Sequence, residues 1–131
     1  RQIVDRLAEG GEVVIGVPNT ASLNRRVSRL SRHDWDMFLE PGHLYHYDVR
    51  TLSAVARQAG LTLRDWITGT MTIRGKVPVI PRRYPALEES IRHLVESSGA
   101  ARAAYVLSLR VLDIFRAGDM LFASFTRVSD S

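Results

Sequence analysis

The spacing of apolar residues between glycines and prolines divides this chain into short helices and strands. The clearest helix is predicted for residues 48–59, where apolar side chains recur at i, i+3, i+4 and i+7. These side chains are Leu52, Val55, Ala56 and Ala59. Asp48 can cap the first turn, because a carboxylate accepts hydrogen bonds from the free backbone amides there. Gly60 suits the left-handed residue that commonly ends a helix.

A continuous apolar run from Val13 to Val17 predicts a strand over residues 12–17. Runs of this kind are typical of strands buried on both faces, as in parallel α/β sheets. Pro18 cannot donate a hydrogen bond to a strand ladder and ends the run. Because helices and a second predicted strand at 61–67 follow, we expect a right-handed crossover and a parallel pair of strands.

Helices and strands alternate in much of the remaining sequence. The end of a helix is predicted over residues 1–9, and a short helix within 20–34 follows the first strand. The apolar face of that short helix is formed by Leu23, Val27 and Leu30. The segment 68–84 is loop-like, with room for a short extended piece at 71–80. Later elements are predicted at 85–97 (helix), 100–117 (helix) and 120–128 (strand).

The helix predicted at 100–117 is apolar around most of its circumference. Such a helix is buried in a large protein or contacts something else. The open alternatives are the other half of a larger fold, another subunit, a lipid-like substrate and a membrane surface. Its polar residues form no basic stripe of the interfacial kind, so we favour contact with protein.

Composition narrows the class of protein. With 131 residues, 45% hydrophobic and 24% charged, the chain has room for one domain with a moderate core. The absence of cysteine excludes disulfides and thiolate chemistry and suits the cytoplasm. The net charge of +4 comes from scattered arginines, which favours a solvated surface over a nucleic-acid interface. We find no signal peptide and no apolar run of about 18 residues that predicts a transmembrane segment.

Four short motifs occur in a specific order along the chain. They are Gly10-Gly11, Pro18-Asn19, the segment Pro41 to Tyr47, and Ala59-Gly60-Leu61. In this order they resemble the C-terminal half of class I S-adenosylmethionine-dependent methyltransferases. The likeness is greatest to the small-molecule group that includes ubiquinone-biosynthesis and sugar-modifying enzymes. Residues 118–124 look like that family's final strand.

The resemblance implies an α/β fold, a partial Rossmann-like methyltransferase sheet made of its C-terminal strands. It places strand 120–128 antiparallel between strands 12–17 and 61–67. Residues 1–131 then form a single domain, the C-terminal portion of a methyltransferase domain, and the poorly matching insert at 70–117 carries a helical pair.

The sequence departs from the family at the cofactor site. The family binds S-adenosylmethionine through a glycine-rich turn and an acidic residue after its second strand. The nine glycines here form no G-x-G-x-x-G, so no cofactor-binding residue is assigned and the cofactor is implied by the resemblance alone. We therefore expect half of a fold: a fragment, an engineered piece or a degenerate relative.

Asn19 is the first candidate for substrate binding. It follows a strand directly, and ligands bind outside the carboxyl ends of strands in open α/β sheets. The alternative is that Pro18-Asn19 simply forms a turn, since asparagine bonds its own backbone there.

His43 and His46 are the catalytic candidates. Methyl transfer to a hydroxyl or amine benefits from a base that removes the acceptor's proton, and histidine exchanges protons near neutral pH. Alternatively, one imidazole caps a backbone group and the other faces solvent. The spacing of His33, His43 and His46 fits no familiar ligand pattern, so no metal is predicted.

Aromatic residues around the histidines are the other substrate-binding candidates. Trp35, Phe38 and Tyr45 can line a pocket for a flat or apolar acceptor, although such residues are as often local plugs. Arg25 and Arg26 suit an anionic group, but a solvated face is the simpler interpretation.

The expected function is that of the C-terminal part of a methyltransferase that contributes acceptor binding for a small molecule. The expected partners are that acceptor and either the N-terminal half or another copy of the chain, in a homo-oligomer. The alternative is a non-catalytic half-fold that acts as an interaction module.

Overall fold

One sheet joins the three strands found in the described part of the chain. The computed structural model describes residues 2–30, 35, 37, 45–70 and 85–127. The strands are β1 (Glu12–Pro18), β2 (Leu61–Gly69) and β3 (Met120–Arg127). The helices are α1 (Gln2–Asp5), α2 (Leu23–Leu30), α3 (Val49–Gln58), α4 (Pro85–Ser97) and α5 (Gly99–Ile114).

β3 is the central strand and runs antiparallel to both neighbours. This is the arrangement that the resemblance implied for the final strand. β1 and β2 consequently run in the same direction, but β3 separates them, so the expected parallel pair does not share hydrogen bonds. The architecture is mixed α/β.

The core lies between α3 and one face of the sheet. Three side chains of β3 that point to this face are fully buried: Leu121, Ala123 and Phe125. Leu52 and Ala56 of α3 and Leu61 of β2 complete the buried cluster. Two of the four residues predicted for the apolar face of α3 are therefore core residues, whereas Val55 is 48% exposed.

The ends of α3 follow the sequence prediction. The Thr51 amide donates to Asp48 Oδ1 at 2.8 Å, and the Asp48 amide donates to Thr51 Oγ1 at 3.0 Å. These reciprocal bonds form a capping box. The backbone amide and then the hydroxyl of Thr51 lower the pKa of Asp48 from its ordinary value. Gly60 has the expected left-handed conformation, with φ of 82°.

The second face of the sheet is partly open. Val14 and Ile67 are 64% and 61% exposed; on β3, Val14 lies opposite Ser124 and Ile67 lies opposite Phe122. Burial alternates along β1, so the prediction of a strand buried on both faces is wrong. A continuous apolar run correctly predicts which residues form a strand. It does not predict that both faces are buried, because the second face is buried only where another layer packs against it.

The helical pair differs from prediction mainly at its ends. α4 matches the predicted 85–97, and Ser98 caps α5 by accepting from the Ala101 amide at 3.3 Å. α5 ends at Ile114, before the predicted stop at Gly118, because Arg116 adopts φ of 55°. The Ala117 amide then donates to Leu112 O at 2.8 Å, which closes the helix end.

Two other helix predictions need correction. α1 ends at Asp5, well before the glycines that were expected to stop it. In α2 the buried residue is Ser28, while Leu30, expected on the apolar face, is 87% exposed. The short extended piece predicted at 71–80 lies outside the described residues. Across the described ranges, each helix is too short or too polar to cross a membrane.

Candidate site at the carboxyl end of β1

Asn19 lies directly after β1 and is 2% exposed. Its Nδ2 donates to Gly118 O at 2.8 Å, and its Oδ1 accepts from the Ala21 amide at 3.0 Å. The second bond is the side-chain turn typical of asparagine. Asn19 therefore ties the end of β1 to the start of β3, and this geometry favours the turn interpretation over direct contact with substrate.

Asp119 adjoins Asn19 at the same edge of the sheet. The Asn19 amide donates to Asp119 O at 2.7 Å, and Asn24 Nδ2 donates to Asp119 Oδ2 at 3.5 Å. Only 3% of Asp119 is exposed. Burial and then this carboxylate raise the pKa of Tyr105 above its ordinary value. Sequence reasoning missed Asp119 as a site residue, although its place just before the last strand puts it opposite the end of β1.

Tyr47 brings the aromatic segment to this edge. It forms an isolated parallel bridge with Asn19, in which the Thr20 amide donates to Tyr47 O at 2.9 Å. His46 precedes it and is half-buried. The bridge places the end of the aromatic segment alongside the chain that leaves β1.

The His46 ring is held on two sides. Its Nε2 lies 3.2 Å from Met37 O, and its centroid lies 5.8 Å from that of Trp35. Because a carbonyl oxygen only accepts, Nε2 is the donor in this contact. An oriented imidazole of this kind can remove a proton from a bound hydroxyl.

Trp35 is buried rather than open to a ligand. It is 1% exposed, and the Arg25 guanidinium carbon lies 5.9 Å from its ring centroid. Its packing between Arg25 and His46 indicates that Trp35 fills space within the protein and does not line an open pocket. The indole also limits the movement of the His46 imidazole.

Tyr45 is the candidate most accessible to a ligand. It is 71% exposed, and its ring stacks on Tyr47 with centroids 6.4 Å apart. A stacked, exposed phenol can offer a flat surface to an aromatic or cyclic acceptor. His43 and Phe38, the remaining predicted site residues, lie outside the described residues.

At this edge the oriented imidazole of His46 adjoins the exposed phenol of Tyr45 in sequence. Two buried polar residues of the edge, Asn19 and Asp119, form hydrogen bonds within the protein. No cluster of three or more metal-ligating side chains occurs within the described part of the chain.

Comparison with known proteins adds no relative to this picture: no family model matches the chain, and no curated protein matches it.

Proposed function

We propose that this chain is the acceptor-side, C-terminal part of an S-adenosylmethionine-dependent methyltransferase that acts on a small molecule. The observation that supports the proposal most is the antiparallel β3 between two strands of common direction. The four motifs of the sequence supply the rest of the support. Oxygen acceptors such as sugars or quinone precursors are favoured by the resemblance.

In this proposal the cofactor supplies the methyl group and is held by residues outside this chain. His46 takes the acceptor's proton, while the Met37 carbonyl and the Trp35 ring hold the imidazole in place. Tyr45 contacts the acceptor, and Asn19 fixes the backbone on which the site is built. Correct orientation of the reacting groups supplies much of the rate acceleration.

The test uses His46→Ala and His43→Ala in the full-length protein that contains this sequence. If one of these histidines is the base, its replacement lowers turnover by about a hundredfold or more, because a positioned base contributes that much. Cofactor affinity stays unchanged, since that site lies elsewhere. His93→Ala, an exposed histidine of α4, is the matched control. Full activity in both single variants would remove the base assignment.

A calorimetric titration tests the assignment of the cofactor site. The 131 residues alone are expected to bind S-adenosylmethionine weakly or not at all. Losing two or three charge-assisted hydrogen bonds, each contributing about 1.5–3 kcal/mol, lowers affinity by several powers of ten. Stoichiometric micromolar binding by this chain would mean that it contains a cofactor site of another kind.

A second candidate function, an interaction module, is favoured by exposed apolar surface. Within the described residues β1 pairs only with β3, so its other edge is open. On α5, Leu107 and Ile114 are 65% and 76% exposed. Open strand edges and apolar faces recruit other chains.

Light scattering distinguishes this candidate. The module predicts a dimer or larger assembly that Val14→Lys on β1 or Leu107→Lys on α5 dissociates. Val55→Lys, a charge on the exposed side of α3, is the control. A monomer at high concentration would contradict the interaction function.

A further inference from the structure

A groove lies between α3 and β2, on the far side of β3 from Asn19 and β1. Its volume is about 430 Å³, in the range of small-molecule sites. Six residues line it: Val49, Arg50, Ser53, Arg57, Leu63 and Trp66. The lining combines cationic, hydroxyl and aromatic groups, which is the mixture that recognises an organic anion.

The two arginines of the groove differ from those around it. Arg64 pairs with Glu12 at 3.5 Å, and Arg116 pairs with Asp65 at 3.8 Å. Arg50 and Arg57 form no ion pair with any described residue. The groove is therefore locally positive, although the chain has carboxylates nearby that neutralise the neighbouring arginines.

Asp48 is the carboxylate nearest in sequence to this pair. It is engaged by the Thr51 amide and hydroxyl in the capping box. Its charge reduces the positive potential near Arg50 in part, because Arg50 contributes to the lowered pKa of Asp48. Arg57, about two turns after Arg50 along the helix, has no ion-pair partner among the described residues.

Ser53 lies between the two arginines on the same side of α3. Its Oγ is buried and has no hydrogen-bond partner among the described residues. Helical serines commonly donate to the carbonyl four residues earlier, as Ser90 does to Ala86 O at 2.8 Å. A buried hydroxyl without such a bond costs free energy unless a ligand or water meets it.

Trp66 forms the aromatic wall. The Arg116 guanidinium carbon lies 4.3 Å from its ring centroid, a cation–π contact that holds the indole in place. With Val49 and Leu63 it forms the apolar part of the lining. Planar guanidinium groups bind carboxylate and phosphate oxygens through paired hydrogen bonds.

We propose that the groove between α3 and β2 binds a small planar aromatic anion, a carboxylate or a phosphate ester. Trp66, Val49 and Leu63 contact its ring system, Arg50 and Arg57 bind its anionic group, and Ser53 Oγ donates to it. This site is separate from the methyltransferase site at the carboxyl end of β1 and does not depend on it.

The test follows the two indole N–H signals by NMR during titration with 2-naphthoate, since the chain has two tryptophans. The Trp66 signal shifts in a saturable way, and that of buried Trp35 does not. Uncharged 2-naphthamide binds at least about tenfold more weakly, because it lacks charge-assisted bonds. 2-Naphthyl phosphate is titrated in the same way, and failure of both anions to shift the Trp66 signal would overturn the proposal.

Variants assign the binding to the groove. The double change Arg50→Gln/Arg57→Gln weakens 2-naphthoate binding by about tenfold or more, and Ser53→Ala weakens it severalfold. Arg110→Gln, an exposed arginine on α5, is the control and leaves affinity unchanged. Unaltered far-UV circular dichroism shows that the variants fold. Equal affinity for acid and amide, or full binding by the double variant, would overturn the proposal.

Discussion

α3 and α5 are both capped helices, but they contact the rest of the molecule differently. α3 has ten residues and buries Leu52 and Ala56 against the sheet. α5 has sixteen residues and a higher apolar content, yet none of its side chains is buried. The number of apolar residues in a helix therefore does not determine how much of it is buried. Burial instead requires that the apolar residues form a stripe on one side of the helix and that a sheet face packs against this stripe.

The ends of the two helices differ in the same sense. α3 begins with a capping box and ends at a left-handed glycine, Gly60. α5 has a single side-chain cap from Ser98, and its left-handed position is occupied by Arg116. Local sequence thus determines both ends of α3, whereas the end of α5 depends on contacts with β2.

The largest expected effect comes from comparing two phenylalanines. Phe125 is fully buried under α3, and Phe115, at the end of α5, is 77% exposed. Phe125→Ala lowers the free energy of unfolding by about 3–5 kcal/mol, because it removes core contacts and leaves a cavity. Phe115→Ala changes it by less than about 0.5 kcal/mol. Urea denaturation measures both.

If Phe125→Ala does not fold, Phe125→Leu provides the milder change, with an expected loss of less than about 1.5 kcal/mol. If Phe115→Ala lowered the free energy of unfolding as much as Phe125→Ala, the end of α5 would be buried in solution. α5 would then not differ from α3 in this respect.

Gly118, which lies between α5 and β3 and contacts β2, gives the next largest effect. Its amide donates to Thr68 Oγ1 at 3.2 Å. A Cβ added there would lie 2.8 Å from the backbone carbon of Gly69 and 2.6 Å from Asp113 Oδ1. Because backbone cannot easily move away, we expect Gly118→Ala to cost about 1–3 kcal/mol of stability.

Gly99→Ala is the control, since a Cβ at the start of α5 meets nothing within 4 Å. Alanine has the higher helix propensity, so this change is expected to be neutral or stabilising by up to about 1 kcal/mol. Thermal melts compare the melting temperatures of the two variants. Equal values would mean that the backbone around Gly118 moves to accommodate the added methyl group.

The sequence predicted the strands and most helix positions because local rules govern them. Asp48 and Gly60 mark the ends of α3, and Pro85 marks the start of α4, through effects within one or two turns. Burial was predicted less well, as Val14 and Leu30 show, since it depends on what packs against an element. The left-handed Arg116 could not be predicted, because arginine has no preference for that conformation.

The candidate site was predicted in part for the same reason. The position of Asn19 after a strand indicated the edge at which it lies, and the bridge from Asn19 to Tyr47 brings His46 near. The role of Asp119 depends on strand order, which places residues a hundred positions apart side by side. The hydrogen bond from Asn19 Nδ2 to Gly118 O also joins residues far apart in the sequence, so it depends on strand order as well.

Asp48 allows the contrast between the two caps to be measured. Asp48→Ala is expected to lower stability by about 1 kcal/mol at pH 7, because it leaves the Thr51 amide without its acceptor. Ser98→Ala is expected to cost less, since Ser98 makes one longer bond.

The cap of α3 is also expected to depend on pH. The pKa of Asp48 is lowered in the folded protein, so its contribution is fully present above the ordinary value of 3.8 and is lost as pH falls below it. Asp48→Asn keeps an acceptor without the charge. The stability difference between wild type and Asp48→Asn, from urea denaturation, should therefore shrink between pH 6 and pH 3. A constant difference would show that the charge of Asp48 contributes nothing to the cap.

Arg116 is expected to give the smallest net effect, because two opposing terms meet there. Its left-handed backbone, at φ of 55°, costs about 1 kcal/mol relative to glycine. Its contact with Trp66 and its ion pair with Asp65 return a similar amount. Arg116→Gly removes both terms, so we expect a change in stability of less than about 1 kcal/mol.

Arg116→Ala removes only the favourable contacts and keeps the strain, so it should be less stable than Arg116→Gly by about 1 kcal/mol. Urea denaturation of the two variants isolates the backbone term. Equal stabilities would show that α5 ends in another conformation in solution and that its end, unlike that of α3, has no fixed left-handed residue.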